Sequence, residues 1–256
     1  MNSRGASKGV PFFRPWRTLI AGGAERPPGW PYVEKQDPWS SHSRIRSWIE
    51  ELPTGSRILD VGAATGMLGR TLQGKGYVLD GLEPNPSWAE TARPFYREFV
   101  AATLDGAPDA FLRDHDAVVC ADVIEHLPDP EASLRRLLGL QPDGSLLIVS
   151  VPNVANLWVR LNLLAGRFDY QERGILDRTH LRFFTRSTFV ALLRGLALEV
   201  RRVEATPIPL NLVSPLFERS LAGRALHRSL AGTTRVLPRL LGFQLLALAV
   251  KRPLSD

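Results

Sequence analysis

The sequence has a single cysteine among its 256 residues and only four lysines among its 32 basic residues. One cysteine excludes an internal disulfide framework and fits a reducing compartment, so we expect a cytoplasmic protein. Cys120 lies in the apolar run AVVCADV. That run predicts a buried strand residue rather than a nucleophile.

Long apolar runs are also missing. The longest C-terminal stretch, at 240–250, is too short to span a bilayer. No N-terminal segment has the charged-then-apolar form of a signal peptide. The formal net charge is +6, but the basic residues form no dense run and no nucleic-acid-binding module is recognisable. We therefore expect no nucleic-acid partner.

Two nucleotide-binding signatures are absent. No G-K-S or G-K-T follows a glycine turn, which excludes a P-loop. A dinucleotide fold requires G-x-G-x-x-G, but Ala64 stands where the second glycine would let a pyrophosphate come close. An NAD-dependent oxidoreductase is therefore the weaker of the enzyme alternatives.

A different glycine turn is present in ILDVGAATG, residues 58–66. An apolar run ends in Asp60, and small residues follow between Gly62 and Gly66. Such a turn lets a backbone approach a ligand closely, and the helix-like pattern after it offers free N–H groups. A second apolar run ends in Glu83, about 20 residues past the turn, where nucleoside-binding folds place an acid that holds the ribose hydroxyls. The pair predicts a site for an adenosine-like ligand.

This stretch resembles motif I of the class I S-adenosylmethionine-dependent methyltransferases, whose usual form is close to LDVGCGTG. The sequence departs from it with Ala63 and Ala64 where Cys and Gly are common. The resemblance implies S-adenosyl-L-methionine as the cofactor, with Asp60 ordering the turn and Glu83 binding the ribose. The residues it implies for the cofactor site are Asp60, Gly62, Ala63, Ala64, Gly66, Glu83, Pro84, Ala121, Asp122 and Val123.

The last three of those residues belong to DAVVCADVIEHLPDP, residues 116–130. This segment resembles the fourth-strand region of the branch that includes the ubiquinone-biosynthesis O-methyltransferases. The resemblance places His126 near the transferred methyl group. Asp122, Glu125 and His126 are an alternative divalent-metal cluster, but we expect activity that needs no metal. A structural role for Glu125 and His126 stays open as well.

The segment GILDRTHLRFFT, residues 174–185, resembles one found in bacterial methyltransferases associated with cell-surface polysaccharide or other small-molecule pathways. His180 is the first candidate for a general base and His126 the second, because an imidazole can accept a hydroxyl proton near neutral pH. Arg178 and Arg182 are candidates for holding an anionic group of the acceptor. Asn153 is a further candidate for facing the substrate.

The order of patterns predicts an α/β fold: a parallel, doubly wound, Rossmann-like, seven-stranded methyltransferase sheet with a helical insertion before the last strand. Residues 1–39 are predicted to be an irregular arm and 40–256 the methyltransferase domain. Within that domain, 152–185 is predicted to be a substrate-side lid with packed leucines, and 209–240 the insertion. The predicted strands cover 57–61, 77–82, 98–102, 116–121, 145–151, 197–204 and 243–250.

The expected function is methyl transfer to a small-molecule or saccharide acceptor, most naturally at a hydroxyl, by in-line displacement with a histidine base. A non-catalytic S-adenosylmethionine-binding or membrane-peripheral scaffold is the alternative from another class. The mixture of Leu and Arg at 216–241 suits either contact with anionic lipid or cover for the sheet or a dimer surface, and the second is favoured. The sequence makes no prediction of oligomeric state.

Overall fold

The computed structural model of the protein describes residues 37–210, 217 and 220–253. The predicted arm at 1–39 therefore lies outside the described residues except for its last three, and so does part of the 209–240 segment. The described strands are β1 Arg57–Val61, β2 Val78–Leu82, β3 Glu98–Val100, β4 Ala117–Ala121, β5 Leu146–Pro152, β6 Leu198–Thr206 and β7 Gln244–Lys251.

One helix precedes β1 and the others lie between strands, as the alternating pattern predicted. They are α1 Ser41–Ile49, α2 Met67–Leu72, α3 Pro86–Ala92, α4 Asp109–Leu112, α5 Pro130–Gly139, α6 Leu157–Leu164, α7 Arg186–Gly195, α8 Leu221–Val236 and α9 Pro238–Leu241. Single turns of 3-10 helix occupy Arg93–Phe95 and Ile124–His126.

The seven strands form one sheet in the order β3-β2-β1-β4-β5-β7-β6. The pairs from β3 to β5 are parallel, while β7 runs antiparallel to both of its neighbours. The strand positions confirm the predicted fold class, but the antiparallel β7 corrects the prediction of a parallel sheet. Because β1 and β4 are adjacent although β2 and β3 lie between them in sequence, a crevice opens at their carboxyl ends, where such sheets bind ligands.

Helix starts follow the local chemistry of the chain. The side chains of Ser40, Asn85, Asp129 and Thr185 each accept a backbone N–H in the first turn of α1, α3, α5 and α7. The apolar faces of these helices then cover the sheet: Leu134, Leu137 and Leu138 of α5 are buried, and Arg135 is exposed.

The predicted packed lid is only partly correct. In α6 the buried side chain is Val159, which packs with Ile175 and Leu176. Leu161 and Leu164 are 55% and 84% exposed, so these leucines do not pack as the sequence suggested. A helix of eight residues can bury one face only, and here that face is narrow.

Helix α8 covers the sheet beside β6. Its buried residues, Gly223, His227, Ala231 and Thr234, recur at helical spacing. His227 Nε2 lies 3.3 Å from Asp37 Oδ2, which ties the helix to the residues before α1. Within 37–210 and 220–253, no helix combines the length and the apolarity needed to cross a bilayer.

Candidate cofactor and acceptor site

The turn after β1 and the acid after β2 form one hydrogen-bonded unit. Glu83 is 4% exposed, and its Oε2 accepts the backbone N–H of Ala64 at 2.9 Å. Its Oε1 accepts the N–H of Asn85 at 2.9 Å. Burial is the main cause that raises the pKa of Glu83, and these two hydrogen bonds oppose it. Each carboxylate oxygen keeps acceptor capacity for a further donor, which fits a vicinal pair of ribose hydroxyls.

The backbone of the turn explains its small residues. Gly62 and Gly66 have φ of 73° and 80°, and Ala64 has φ of 46°, a region that larger or branched side chains rarely adopt. A Cβ on Gly62 would lie 2.5 Å from Val123 Cγ2. A glycine at position 62 is therefore needed to make room for the neighbouring loop after β4 as well as for a ligand. A Cβ on Gly66 would meet Ala92 and Phe95, so this glycine serves helix packing.

Asp60 acts inside the protein rather than at a surface. It is 4% exposed, and Tyr96 donates its hydroxyl to Asp60 Oδ2 at 2.5 Å. Gly69 in turn donates its N–H to the Tyr96 oxygen at 3.2 Å. Burial raises the pKa of Asp60 to about 7, against the opposing effect of the Tyr96 hydrogen bond. The arrangement connects β1 to the start of α2 and so orders the turn.

Both carboxylate oxygens of Asp122 accept hydrogen bonds from residues of neighbouring strands. Its φ is 56°, its Oδ1 accepts from Ser150 at 2.7 Å, and its Oδ2 accepts from Gln244 at 2.5 Å. The bend that follows β4 is thereby tied to β5 and β7. Ala121 and Val123, on either side, are half-buried at the same carboxyl edge.

The two motifs at 116–130 and 174–185 dock on each other, although His126 and His180 are 54 positions apart in the sequence. The backbone N–H groups of Leu181 and Arg182 donate to the carbonyl of Glu125 at 2.8 and 3.0 Å. Arg182 also donates its side chain to the Pro128 carbonyl. The 3-10 turn after β4 and the loop before α7 therefore form a single surface.

His126 and His180 lie side by side on that surface. Their rings stand edge to face, with centroids 4.9 Å apart. His180 is 9% exposed, and its Nδ1 bonds the Ile175 carbonyl at 3.1 Å. His126 is exposed, and its Nδ1 bonds the Thr179 carbonyl at 3.2 Å. Because a carbonyl only accepts, each ring donates its Nδ1 proton, and Nε2 is the ring nitrogen that remains for a ligand.

Burial lowers the pKa of His180, with a smaller contribution in the same direction from His126. The ring is therefore neutral at pH 7, as a proton acceptor must be. Glu125 stands beside the two rings and is 1% exposed. Burial, followed by the charge of Asp122, raises the pKa of Glu125 well above its usual value.

Other predicted site residues have different surroundings. Asn153 is fully buried, donates to the Gly242 carbonyl at 2.9 Å, and accepts from the Ala155 N–H at 3.1 Å. It braces the loops after β5 and before β7, which is a correction to the acceptor contact expected from its sequence position. Arg178 is exposed and pairs with Glu172 at 2.6 Å. Pro84 is exposed beside Glu83.

Several residues that hold the site together had no recognisable signal in the sequence. Tyr96, Ser150 and Gln244 hold Asp60 or Asp122 from other strands or loops. Only a strand order that places β7 beside β5 brings Gln244 to this edge. Cys120 is buried in β4, which confirms the predicted buried strand residue, and burial raises the pKa of its thiol.

The fold and this site define a nucleoside-binding α/β protein of the S-adenosylmethionine-dependent methyltransferase class. The profile of a family described as a methyltransferase domain matches residues 39–203. The chain belongs to that family. The buried, doubly hydrogen-bonded Glu83 and the small-residue turn fit the family's cofactor, S-adenosyl-L-methionine.

Similar curated proteins include two enzymes named ubiquinone biosynthesis O-methyltransferase. The one from Pectobacterium atrosepticum is 27% identical over 112 residues, covering 41% of this chain and 46% of that protein. The one from Vibrio vulnificus is 28% identical over 105 residues, covering 39% and 45%. The chain thus aligns with less than half the length of these relatives.

Solved structures show the same fold at low identity. A SAM-dependent methyltransferase from Archaeoglobus fulgidus superposes with a TM-score of 0.53 at 21% identity, covering 82% of this chain and 92% of that one. The plantazolicin methyltransferase BpumL in complex with SAH superposes with a TM-score of 0.53 at 16% identity, covering 84% and 83%. These likenesses bear on the fold alone.

Proposed function

We propose that the protein transfers the methyl group of S-adenosyl-L-methionine to a hydroxyl oxygen of a small-molecule or saccharide acceptor. The observation that carries this proposal is the pairing of His126, in the turn after β4, with His180, in the loop before α7, each with its Nδ1 on a backbone carbonyl and its Nε2 left for a ligand. The names of the ubiquinone-biosynthesis relatives support an oxygen acceptor.

The cofactor side of the site is assigned to the loops after β1, β2 and β4. Glu83 accepts from the ribose hydroxyls, and the turn with Gly62, Ala63 and Ala64 lies along the ribose and methionine. Asp60 and Gly66 shape that turn from within. Pro84, Ala121, Asp122 and Val123 complete the rim. When bound, the cofactor supplies a methyl group on a sulfonium, which is already a good leaving group.

The acceptor side needs a group that orients the hydroxyl and takes its proton. His180 Nε2 is the first candidate, since its Nδ1 proton is anchored on the Ile175 carbonyl and the ring is neutral at pH 7. Holding the hydroxyl in line with the methyl group removes most of the entropic cost of the reaction. The imidazole removes the proton as the new bond forms.

Acceptor recognition is assigned to the exposed rim of the two docked motifs. Arg178 and Arg182 are both exposed there, which suits an acceptor carrying a carboxylate or phosphate. Arg178 would exchange its partner Glu172 for the acceptor, while Arg182 has further guanidinium donors besides the one on Pro128. The buried single cysteine, Cys120, supports placing the protein in the reducing cytoplasm.

Turnover is tested by incubating the purified protein with deuteriomethyl-labelled S-adenosylmethionine and a protein-free small-molecule extract. High-resolution mass spectrometry should find a product that carries the label, together with S-adenosylhomocysteine. Digestion or derivatisation then assigns the methyl group to oxygen. Cofactor binding without any labelled product, across extracts rich in hydroxylated metabolites and saccharides, would favour the non-catalytic binding module instead.

A further inference from the structure

Three potential metal ligands meet where the two docked motifs join: Glu125, His126 and His180. One ligand atom from each lies within 4.8 Å of the other two. Two of these side chains come from the 3-10 turn after β4 and the third comes from the loop before α7. We call this group the Glu-His-His cluster.

The carboxyl group of Glu125 is buried at the cluster without a partner from another residue. Glu125 is 1% exposed, and neither of its oxygens accepts a hydrogen bond from another residue. Its charged form, buried and unpaired, is expensive in free energy. A buried carboxylate is normally satisfied by donors or by a cation, and in this position the groups that face it are imidazole nitrogens.

The two histidines are oriented as metal ligands are. Each donates its Nδ1 proton to a backbone carbonyl, His180 to Ile175 and His126 to Thr179. This is the outer contact that holds a ligating imidazole in one tautomer and leaves Nε2 free for the ion. The carbonyls themselves are held by the loop, whose Leu181 and Arg182 N–H groups are bonded to Glu125.

Asp122 does not belong to this site, although the sequence pattern placed it in a trio with Glu125 and His126. Both of its oxygens are occupied, by Ser150 and by Gln244. His180, which lies far away in sequence, takes the third position instead. The acidic charges of Asp122 and Asp177 still act on the cluster from outside and favour a cation there.

We propose that the Glu-His-His cluster binds one divalent transition-metal ion of the zinc class. Two imidazoles and a carboxylate suit this class better than magnesium or calcium, which prefer oxygen ligands alone. Ligands of one zinc ion stand roughly 3.3 Å apart, so side-chain adjustment of about 1.5 Å at most closes the cluster on the ion. Three protein ligands leave one coordination position open. Because His126 is exposed, the ion reaches the cluster from solvent on that side.

An ion at this position would change how the acceptor loses its proton. His180 Nε2 would then be a ligand rather than the base, and the ion would make a hydroxyl in the open position more acidic by withdrawing charge from its oxygen, so that the proton would pass to solvent water. Without the ion, Nε2 takes the proton directly. The inference therefore goes beyond the proposed methyl transfer, which stands or falls separately.

The test uses the full-length protein after removal of metal with a chelator. Cobalt(II) serves as the spectroscopic probe, because ligation by imidazole and carboxylate in a tetrahedral site produces intense visible bands. Zinc binding is followed by calorimetry. We expect one ion per chain, with affinity reduced about 100-fold or more in Glu125→Gln, in His180→Asn and in His126→Asn, since each loses one of three ligands. His227→Gln, in α8 and away from the cluster, is the matched control and should bind as the native protein does.

Binding of S-adenosylhomocysteine reports whether each variant is folded and keeps the cofactor site. Because His126 is exposed, His126→Asn tests the ligand set even where a substitution at the two buried positions unfolds the chain. Absence of saturable zinc or cobalt binding would overturn the inference, as would binding that is unchanged in His126→Asn. If the chelated protein binds neither zinc nor cobalt but still binds S-adenosylhomocysteine and methylates an acceptor, the proposed function stands and the metal site does not.

Discussion

The backbone N–H of Ala64 donates a hydrogen bond to Glu83 Oε2 at 2.9 Å. The acid after β2 is thus held by the turn after β1, with which it forms the proposed cofactor site. Glu83 contributes twice, because it restrains the left-handed conformation of Ala64 and keeps acceptor capacity on each carboxylate oxygen.

Replacing Glu83 with Ala should weaken S-adenosylmethionine binding by about 10-fold to 150-fold, or roughly 1.5–3 kcal/mol. The substitution removes the acceptors for the ribose hydroxyls and releases the N–H of Ala64. Isothermal calorimetry with S-adenosylmethionine and S-adenosylhomocysteine measures the change. Glu90→Ala, an exposed acid on α3, should bind both like the native protein, and NAD should bind to none of the three. Unchanged affinity in Glu83→Ala would remove this residue from the cofactor site.

Replacing His180 with Ala should reduce turnover by about 10² to 10⁴ while cofactor affinity stays within roughly twofold. The proposed base lies on the loop before α7, whereas the cofactor loops follow β1, β2 and β4. The turnover rate of the native protein should fall at low pH, as the imidazole of His180 becomes protonated. Because burial lowers the pKa of His180, that fall begins at a lower pH than for a free histidine. A native rate in His180→Ala would move the role of base to His126, the next residue to test.

Asp60 should make the protein less stable as the pH rises from about 4 to about 7. Its pKa is raised from 3.8 to about 7 in the folded state. In that interval the unfolded chain has lost the proton and the folded chain keeps it. The contribution of Asp60 to the free energy of unfolding therefore falls by about 1.4 kcal/mol per pH unit, or about 4 kcal/mol in all. Above pH 7 this contribution is level.

The measurement compares the free energy of urea unfolding for the native protein and Asp60→Asn across this pH range. The difference between them should grow in favour of Asp60→Asn up to pH 7. Tyr96→Phe should extend the native decline to higher pH, because the lost hydroxyl favours the carboxylate form. A difference that does not vary with pH would contradict the raised pKa.

Replacing Asn153 with Ala should lower the free energy of unfolding by about 1–3 kcal/mol. The change takes a donor from the Gly242 carbonyl and leaves the N–H of Ala155 without its side-chain acceptor. Chemical denaturation measures the loss. Asn162→Ala, whose amide donates only to a carbonyl of its own helix, should change stability by less than about 0.5 kcal/mol. Native stability in Asn153→Ala would show that the brace contributes nothing.

The fold could be predicted because its signals are local. Apolar runs such as the one ending at Asp60, cap residues such as Asp129, and the turn from Gly62 to Gly66 act within a few residues of themselves. Their alternation along the chain defined a Rossmann-like sheet before any contact was known. The position of β7, antiparallel between β5 and β6, depends on pairing between distant strands, for which the chain carries no local signal.

The sequence by itself determined the α/β class, the strands and most helices, and the pairing of a small-residue turn with Glu83. Only the tertiary structure decided which polar groups are free to react. It brought His180 to Glu125 and His126, tied Asp122 to Ser150 and Gln244, and turned Asn153 inward to a loop carbonyl. The physical reason is that a side chain's chemistry depends on its burial and its partners, and partners far apart in sequence are set by packing rather than by local pattern.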